Sequence, residues 1–437
     1  MLGIIGKIRL IGIFILLISG LSSCVYDYPA DLPSKKGDEV VLILDIKPAT
    51  SSVTNIGVDH EKVKSMRVIM LSNGSLEVNR RYDVASTLAS DFSATYTYKT
   101  SPGEKEIYLI ANEDEIKDYN FTSNADLPAK PADNMKDLLN SFPEGETGSI
   151  ANGKGMRAVL ESLYFPPAYN QDGKGDYYLP YVSYYPAFIV LDNDRRYEDN
   201  PIKMYLVPVA TKFYFNFTNN RPSQVELSNI EIKSFNNLNF MIARVEDEEQ
   251  YKVLNGEKLY WIDWLAKISE LSHQFPEYGE NINFNNLYGW INGYGMPASS
   301  TLASKKFLDG MLVIDAAETE KDDTGDNDYK VITPGTLSLG PFYMPESWNE
   351  YTYYDTLTEQ ELTIQQYTLT LGLHDVSTEP LKDPFFTDIP IDNLKSLFRN
   401  THVIINVTMN AGNLEIFAEI TGWDVHHSQG YVIDTKP

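Results

Sequence analysis

The sequence predicts a mainly β protein, and two observations lead to that prediction. Aromatic residues are abundant, with 29 Tyr and 19 Phe in 437 residues, and they are favoured on the half-buried faces of sheets. The apolar segments are short and rich in β-branched residues, and turn dipeptides such as Asn73-Gly74 and Pro102-Gly103 separate them. Short strands with frequent turns are typical of a sandwich or a barrel.

The charge balance argues against one class of partner. The chain has 36 Lys and Arg against 61 Asp and Glu, a net charge of −25. A nucleic-acid-binding protein needs a cationic face, because counterion release from phosphates supplies most of its affinity. We therefore expect no nucleic-acid partner. With 43% hydrophobic and 22% charged residues the chain can bury a sizeable core, and its length suggests two or three domains.

The N-terminus has the features of a bacterial lipoprotein signal peptide. Lys7 and Arg9 precede a short apolar run that ends in small residues, and residues 21–24 (LSSC) resemble a lipobox. We predict cleavage after residue 23, which makes Cys24 the first mature residue and the site of lipidation. Cys24 is also the only cysteine in the chain, so no intramolecular disulfide is possible.

The expected lipid is a diacylglycerol with an N-acyl chain on Cys24, and the sequence indicates no other cofactor. Several acyl chains give lasting membrane attachment, since each buried methylene contributes about 0.8 kcal/mol. Residues 24–37 contain Pro29 and Pro33 and show no periodicity, so we predict an extended tether between the lipid and the folded body.

The body is expected to form two β domains, residues 38–200 and 201–437, with short helices in loops. The first strand is predicted at Val40, Val41, Leu42, Ile43, Leu44 and Ile46, a compact apolar run bounded by acidic residues and Pro48. Further strands are predicted at residues 63–71, 93–98, 106–111, 204–217, 225–233, 367–373, 402–409 and 414–423. Helices are predicted at residues 134–141 and 261–274. Alternation places Phe213, Phe215 and Phe217 on one face of their strand.

The sequence gives little support for catalysis or metal binding. It has no HExxH motif, no Gly-rich phosphate loop and no GxSxG motif, so we predict that the protein is not an enzyme. His426 and His427 are adjacent, and on a strand they would point to opposite faces. The Asp-rich segments 191–196 and 321–329 do not complete an EF-hand pattern. We predict acidic surface loops and no metal site.

Clusters of tyrosine leave a second function open. Residues 177–178, 181–185 and 351–354 are rich in Tyr, and such rings stack on sugars or on a protein partner when they are exposed. Packing in the core or between domains is the alternative, and we favour it for a chain rich in β structure. A glycan-binding surface lipoprotein stays an alternative function, with its ligand unknown.

Several segments together resemble the fimbrillin family, the lipoprotein-derived pilus subunits of Bacteroidetes that are also called type V pilins. The similar strings follow one another in the family's order and span nearly the whole mature chain: the lipobox and then residues 38–47 (DEVVLILDIK), 62–71 (KVKSMRVIML), 107–115 (IYLIANEDE), 207–217 (VPVATKFYFNF), 340–347 (GPFYMPES) and 399–423.

The resemblance implies two transthyretin-like β-sandwich domains that assemble by strand exchange. In that scheme a trypsin-like protease cuts the loop after the first strand, and a segment of another subunit fills the groove that the lost strand leaves. A sheet that lacks one strand presents unpaired backbone groups and an apolar trough, and a donated strand satisfies both. The candidate donor or partner-strand residues are Leu414, Ile416, Phe417, Ile420 and Trp423.

One departure from the family indicates the role of this subunit. Shaft subunits carry an arginine in the loop after the first strand, whereas residues 48–60 contain neither Arg nor Lys. The resemblance then implies that this subunit keeps its first strand and its lipid, as the anchor at the base of a fimbrium does. We expect an outer-membrane, surface-exposed location and other fimbrial subunits as partners. A polymerising shaft subunit or a tip adhesin is the alternative.

Overall fold

The architecture is that of a computed structural model of the full chain. It describes residues 40–48, 59–88, 92–115, 135–142, 150–163, 178–191, 201–237, 239–242, 251–254, 257–260, 301–308, 310–321, 329–347, 351–355, 360–364, 367–376, 385–391, 394, 397, 399–410 and 413–422. The signal peptide, Cys24 and the tether lie outside these residues, as do Trp423, the pair His426-His427 and the predicted helix 261–274.

The described residues are mainly in β-strands, so the predicted fold class is confirmed. In chain order the strands are β1 Val40–Pro48, β2 Lys62–Ser72, β3 Ser75–Leu88, β4 Ala94–Thr100, β5 Gly103–Ala111, β6 Tyr181–Val190, β7 Ile202–Leu206, β8 Ala210–Asn219, β9 Val225–Asn236, β10 Tyr251–Leu254, β11 Glu257–Tyr260, β12 Leu302–Lys306, β13 Leu312–Ile314, β14 Glu318–Lys321, β15 Tyr329–Thr333, β16 Gly335–Pro345, β17 Tyr351–Asp355, β18 Gln360–Ile364, β19 Thr368–Asp375, β20 Phe385–Pro390, β21 Thr401–Met409 and β22 Leu414–Gly422. The helices of the described residues are α1 Met135–Asn140, α2 Ile150–Ser162 and two 3₁₀ turns, Asp59–Glu61 and Glu113–Glu115.

The N-terminal part of the chain forms a sandwich of two sheets. One sheet has the order β4-β1-β7 and the other has the order β3-β2-β5-β6. Apolar side chains of both sheets form one core, which α1 and α2 extend with residues such as Leu139 and Leu160. The predicted helix 134–141 is confirmed as α1, whereas α2 was not predicted because its sequence, IANGKGMRAVLES, contains two helix-weakening glycines.

The C-terminal part forms a second sandwich. A four-stranded sheet of order β16-β8-β21-β22 faces a sheet of order β12-β9-β19-β20, in which β13 also pairs with β9. Phe213, Phe215 and Phe217 of β8 lie in the core between these sheets and are at most 1% exposed. The predicted single face of aromatic rings is therefore confirmed.

The chain passes from the first sandwich to the second between β7 and β8. The sequence predicts one strand over residues 204–217, but the structure has two, separated at Val207, Pro208 and Val209. Pro208 cannot donate to a continuous ladder. Met204 and Leu206 of β7 belong to the first core, although they follow residue 200. The domain division near residue 200 stays a prediction.

Candidate functional site

The first predicted strand, β1, lies in the middle of its sheet. Its residues pair antiparallel with β4, from Val40 opposite Thr100 to Ile46 opposite Ala94. On its other side β1 pairs in parallel with β7, where Leu44 is opposite Ile202. Both edges of β1 therefore form backbone ladders, which is the arrangement that strand complementation requires.

The side chains of β1 follow the alternation that a half-buried strand requires. Val40, Leu42, Leu44 and Ile46 are at most 1% exposed and lie in the first core, whereas Val41 and Ile43 are half-buried on the other face. Each fully buried aliphatic side chain contributes about 1.5–3 kcal/mol. Loss of β1 would therefore open an apolar trough and leave β4 and β7 without their shared partner.

Tyrosine side chains pack together at the edge of the first sandwich that β4 and β3 form, next to β1. Tyr82 of β3 and Tyr96 of β4 bring their ring centroids to 4.1 Å, which joins the edge strands of the two sheets. Tyr98, opposite Leu42 in register, is fully buried. Burial raises the pKa of Tyr96 and of Tyr98, so both phenols stay neutral at physiological pH.

The candidate donor residues lie in the second sandwich, away from β1. Strand β22 pairs antiparallel with β21 and is the outer strand of its sheet within the described part of the chain. Leu414 and Ile416 are half-buried against the second core. Phe417 is 52% exposed. The backbone of Ile420 pairs with Val403, while its side chain and all of Trp423 lie outside the described residues.

The described tyrosines of the segment 181–185 are packed inside the protein. Tyr181 is fully buried, and its hydroxyl donates to the carbonyl of Glu61 at 3.2 Å. The ring of Tyr184 stacks on Tyr108 with centroids 4.5 Å apart, and burial raises the pKa of Tyr184 to about 12. These contacts favour the packing interpretation over a sugar platform at this segment.

Two polar contacts that the sequence did not reveal join the two sandwiches. In the first, the carboxylate of Glu61, just before β2, meets Lys212 Nζ of β8 at 2.6 Å. The hydroxyl of Tyr343 in β16 donates to Glu61 Oε1 at 2.8 Å. Burial, together with the nearby carboxylate of Glu61, raises the pKa of Tyr343 well above its ordinary value, so this phenol stays a donor.

The second contact centres on a buried ion pair between Arg399, before β21, and Glu346, after β16. The Arg399 Nη2 to Glu346 Oε2 distance is 2.6 Å, and both side chains are at most 1% exposed. The guanidinium also donates to the carbonyls of Phe240 and Met241 at 2.6 Å each. Met241 packs in the first core, so Arg399 connects the second sandwich to the first.

Metal ligation finds no support in the described residues. They contain no cluster of three or more His, Cys, Asp or Glu side chains in position to hold an ion, and most of the two Asp-rich segments lies outside them. None of the described helices is both long and apolar enough to cross a bilayer.

No protein-family model matches the chain, and neither does any curated protein. The solved structures to which the chain is similar include fimbrial proteins of Porphyromonas gingivalis. The tip fimbrial protein Mfa3 from Porphyromonas gingivalis, with a C-terminal truncation, is 12% identical with a TM-score of 0.44 and covers 88% of this chain and 100% of its own. The fimbrilin FimA from P. gingivalis W83 is 11% identical with a TM-score of 0.39, and it covers 88% of this chain and 98% of its own.

The fimbrial anchor protein Mfa2 from P. gingivalis is 12% identical with a TM-score of 0.28, over 89% of this chain and 99% of its own. Similarities of this size do not distinguish tip, shaft and anchor roles.

Proposed function

We propose that this protein is a fimbrial subunit of the outer membrane that keeps its lipid and serves as the anchor, joined to the next subunit by β-strand complementation. The observation that carries the proposal is the position of β1. An apolar strand close in sequence to the predicted lipid site fills the centre of a sheet and pairs on both sides. The role is mechanical, and we propose no catalytic activity.

The sequence around β1 supports retention of the strand. Residues 48–60 contain no Arg or Lys, so a trypsin-like protease has no site there. The nearest basic residues are Lys47, Lys62 and Lys64. Lys47 is paired with Tyr205 in the ladder and its side chain contacts Asp45 at 3.3 Å, while Lys62 and Lys64 lie in β2. A protease must draw its substrate into its own cleft as an extended segment, so a residue fixed within a sheet is a poor target.

The remaining parts of the proposal follow from this role. The acyl chains on Cys24 anchor the protein in the membrane, and residues 24–37 connect them to the folded part of the chain. Residues 38–200 and 201–437 form the two domains. The outer strand β22, with Leu414, Ile416, Phe417 and Ile420, and Trp423 beyond it, is the proposed contact with the neighbouring subunit. Strand β22 is the last strand of its sheet within the described part of the chain, and Phe417 on its outer face is 52% exposed.

Mass analysis of the N-terminus tests the anchor role. Protein recovered from assembled fimbriae is expected to begin at an acylated Cys24, because β1 stays in its sheet. A chain that begins after residue 47 would overturn the anchor role in favour of a shaft or tip subunit. Deletion of the gene is expected to abolish or release fimbriae, and unchanged fimbriae would contradict a role in assembly altogether.

A matched pair of variants tests why the strand is kept. Val53→Arg supplies the missing cleavage residue in the segment after β1, and Val53→Gln changes the same position without a charge. We expect the arginine variant to lose Cys24 and β1 in cells that make the fimbrial protease, and the glutamine variant to keep them. Retention of Cys24 in both variants would show that the missing arginine does not protect the strand.

A further inference from the structure

The outer face of the sheet β16-β8-β21-β22 carries two rows of small neutral polar side chains. Phe213, Phe215 and Phe217 of β8 face the core, so the alternate residues of β8 face away from it. Strands β16, β8 and β21 are neighbours in this sheet, and their register aligns the outward residues in two adjacent rows across the strands. We call this surface the neutral face; its rows are Thr336, Thr218 and Thr408, and Ser338, Asn216 and Asn406.

In the second row each side chain donates a hydrogen bond to the next one, from β16 through β8 to β21. Ser338 Oγ donates to Asn216 Oδ1 at 2.9 Å, and Asn216 Nδ2 donates to Asn406 Oδ1 at 3.3 Å. The row therefore ends on the amide nitrogen of Asn406, which donates to none of the described residues. This donor is available to a ligand, and so are the hydroxyls of the threonine row, which have no acceptor in the described part of the chain.

An exposed aromatic ring lies where this row ends. Phe417 of β22 is directly opposite Asn406 in register, so the ring and the amide are cross-strand neighbours. Phe417 is 52% exposed. Glu415 and Glu419 lie on the same side of β22, on either side of the ring. An exposed ring, a free amide donor and two carboxylates thus adjoin one another at the edge of the neutral face.

The chemistry of this surface selects one class of ligand. One face of a pyranose ring carries C–H groups that stack on an aromatic ring, and its hydroxyls bond to amides, hydroxyls and carboxylates. Anionic ligands need cations, and the two rows contain none; Lys212, further along β8, is held by Glu61 at 2.6 Å. A protein partner of ordinary size needs a larger apolar centre than one ring.

We propose that the neutral face binds an uncharged polysaccharide, with Phe417 as the stacking platform and Asn406 as a hydrogen-bond donor. Glu415 Oε1 accepts from Asn410 Nδ2 at 3.3 Å and from Asn413 Nδ2 at 2.9 Å, and the negative charges of Glu415 and Glu419 repel acidic sugars. This site shares Phe417 and strand β22 with the proposed subunit contact, but the saccharide contacts the outer face of β22, whereas strand addition uses its backbone edge.

Binding to immobilised polysaccharides tests the proposal. Full-length protein in detergent is applied to mannan, xylan, laminarin and dextran, with polygalacturonate and hyaluronan as anionic comparisons. We expect binding to at least one neutral polysaccharide, and Phe417→Ala should weaken it by about tenfold, as loss of one stacking platform does. Asn406→Ala should weaken it less, and Phe417→Tyr should preserve it. Ile332→Ala, at a 58% exposed position on a different hairpin, should leave it unchanged.

Three results would overturn the proposal: no binding to any of the four neutral polysaccharides, stronger binding to the two anionic ones, or equal binding by wild type and Phe417→Ala. Circular dichroism verifies that each variant is folded. If Phe417→Ala does not fold, the other two variants test the site. Asn406→Ala should then bind more weakly than wild type and Phe417→Tyr should bind as wild type does; any other result overturns the proposal.

Discussion

Buried charged side chains in this protein have specific partners. Arg67 of β2 meets Glu113 at 2.7 Å, and Lys105 of β5 meets Glu77 at 2.9 Å. Lys305 of β12 is 8% exposed, and its Nζ donates to the carbonyl of Tyr343 at 2.9 Å. Burial lowers the pKa of Lys305 to about 8 from its ordinary value of 10.5, because a low-dielectric interior disfavours the charged amine.

This lowered pKa makes stability depend on pH. At pH values between about 8 and 10.5, the unfolded chain binds more protons at Lys305 than the folded chain does. The free energy of unfolding therefore rises as the pH increases in this range. Relative to Lys305→Met, wild type should gain about 2 kcal/mol between pH 7 and pH 9.5. Urea unfolding at both pH values measures this gain. The control is Lys306→Met at the exposed neighbour, which keeps Lys305 and should show the same gain as wild type relative to Lys305→Met. Parallel curves for wild type and Lys305→Met would contradict the prediction.

At the scale of single elements, the sequence predicted some strands well and missed others. Strand β1 was predictable because a short apolar run has clear boundaries, and β8 because its aromatic residues alternate. Strand β3 was not predicted, since its sequence, SLEVNRRYDVASTL, is largely polar. Its polar residues have partners distant in sequence, such as Asn79 Oδ1, which accepts from Arg67 Nη1 at 2.6 Å. A pattern of hydrophobicity cannot reveal such a pairing.

The same contrast between local patterns and contacts distant in sequence explains which parts of the candidate functional site were predictable. The strand that fills the sheet is a local feature, whereas the contacts between the sandwiches join residues that are 282 positions apart, as in Tyr343 and Glu61. The neutral face depends on the register of three strands, and that register is set by tertiary pairing. The available signal was alternation in β8 and β21, but alternation does not specify which residues are neighbours.

Strand β1 allows a test of the two faces of one element. Leu44 is fully buried and the adjacent Ile43 is half-buried on the opposite face. Leu44→Ala should lower the free energy of unfolding by about 2–5 kcal/mol, because it removes apolar contacts and leaves a cavity. Ile43→Ala should cost about 1 kcal/mol. Urea unfolding followed by tyrosine fluorescence gives both values, and equal losses would mean that β1 does not occupy the core as described.

At the scale of the whole molecule, the two sandwiches are connected by backbone and by side chains. Strand β7 pairs with β1 and leads within three residues to β8. The contacts of Glu61 and of Arg399 then join the two bodies at further points. In the proposed anchor, tension from the lipid on Cys24 would enter at the centre of the first sheet and pass to the second sandwich by these routes. Such a role requires the two sandwiches to respond to load as one unit.

Disruption of the buried Arg399–Glu346 pair tests that coupling. Arg399→Met leaves the Glu346 carboxylate buried without its cation, which should cost about 3–5 kcal/mol. It also removes the donors to Phe240 and Met241, so we expect the second sandwich to unfold at lower urea concentration than the first, as two separate transitions. Lys233→Met, which breaks an exposed pair with Asp388, should cost less than about 1 kcal/mol and keep the wild-type profile. Urea unfolding followed by circular dichroism and by tryptophan fluorescence distinguishes these outcomes. A shift in Arg399→Met as small as that in Lys233→Met, with coincident transitions, would show that the two sandwiches are coupled by the backbone and β7 alone.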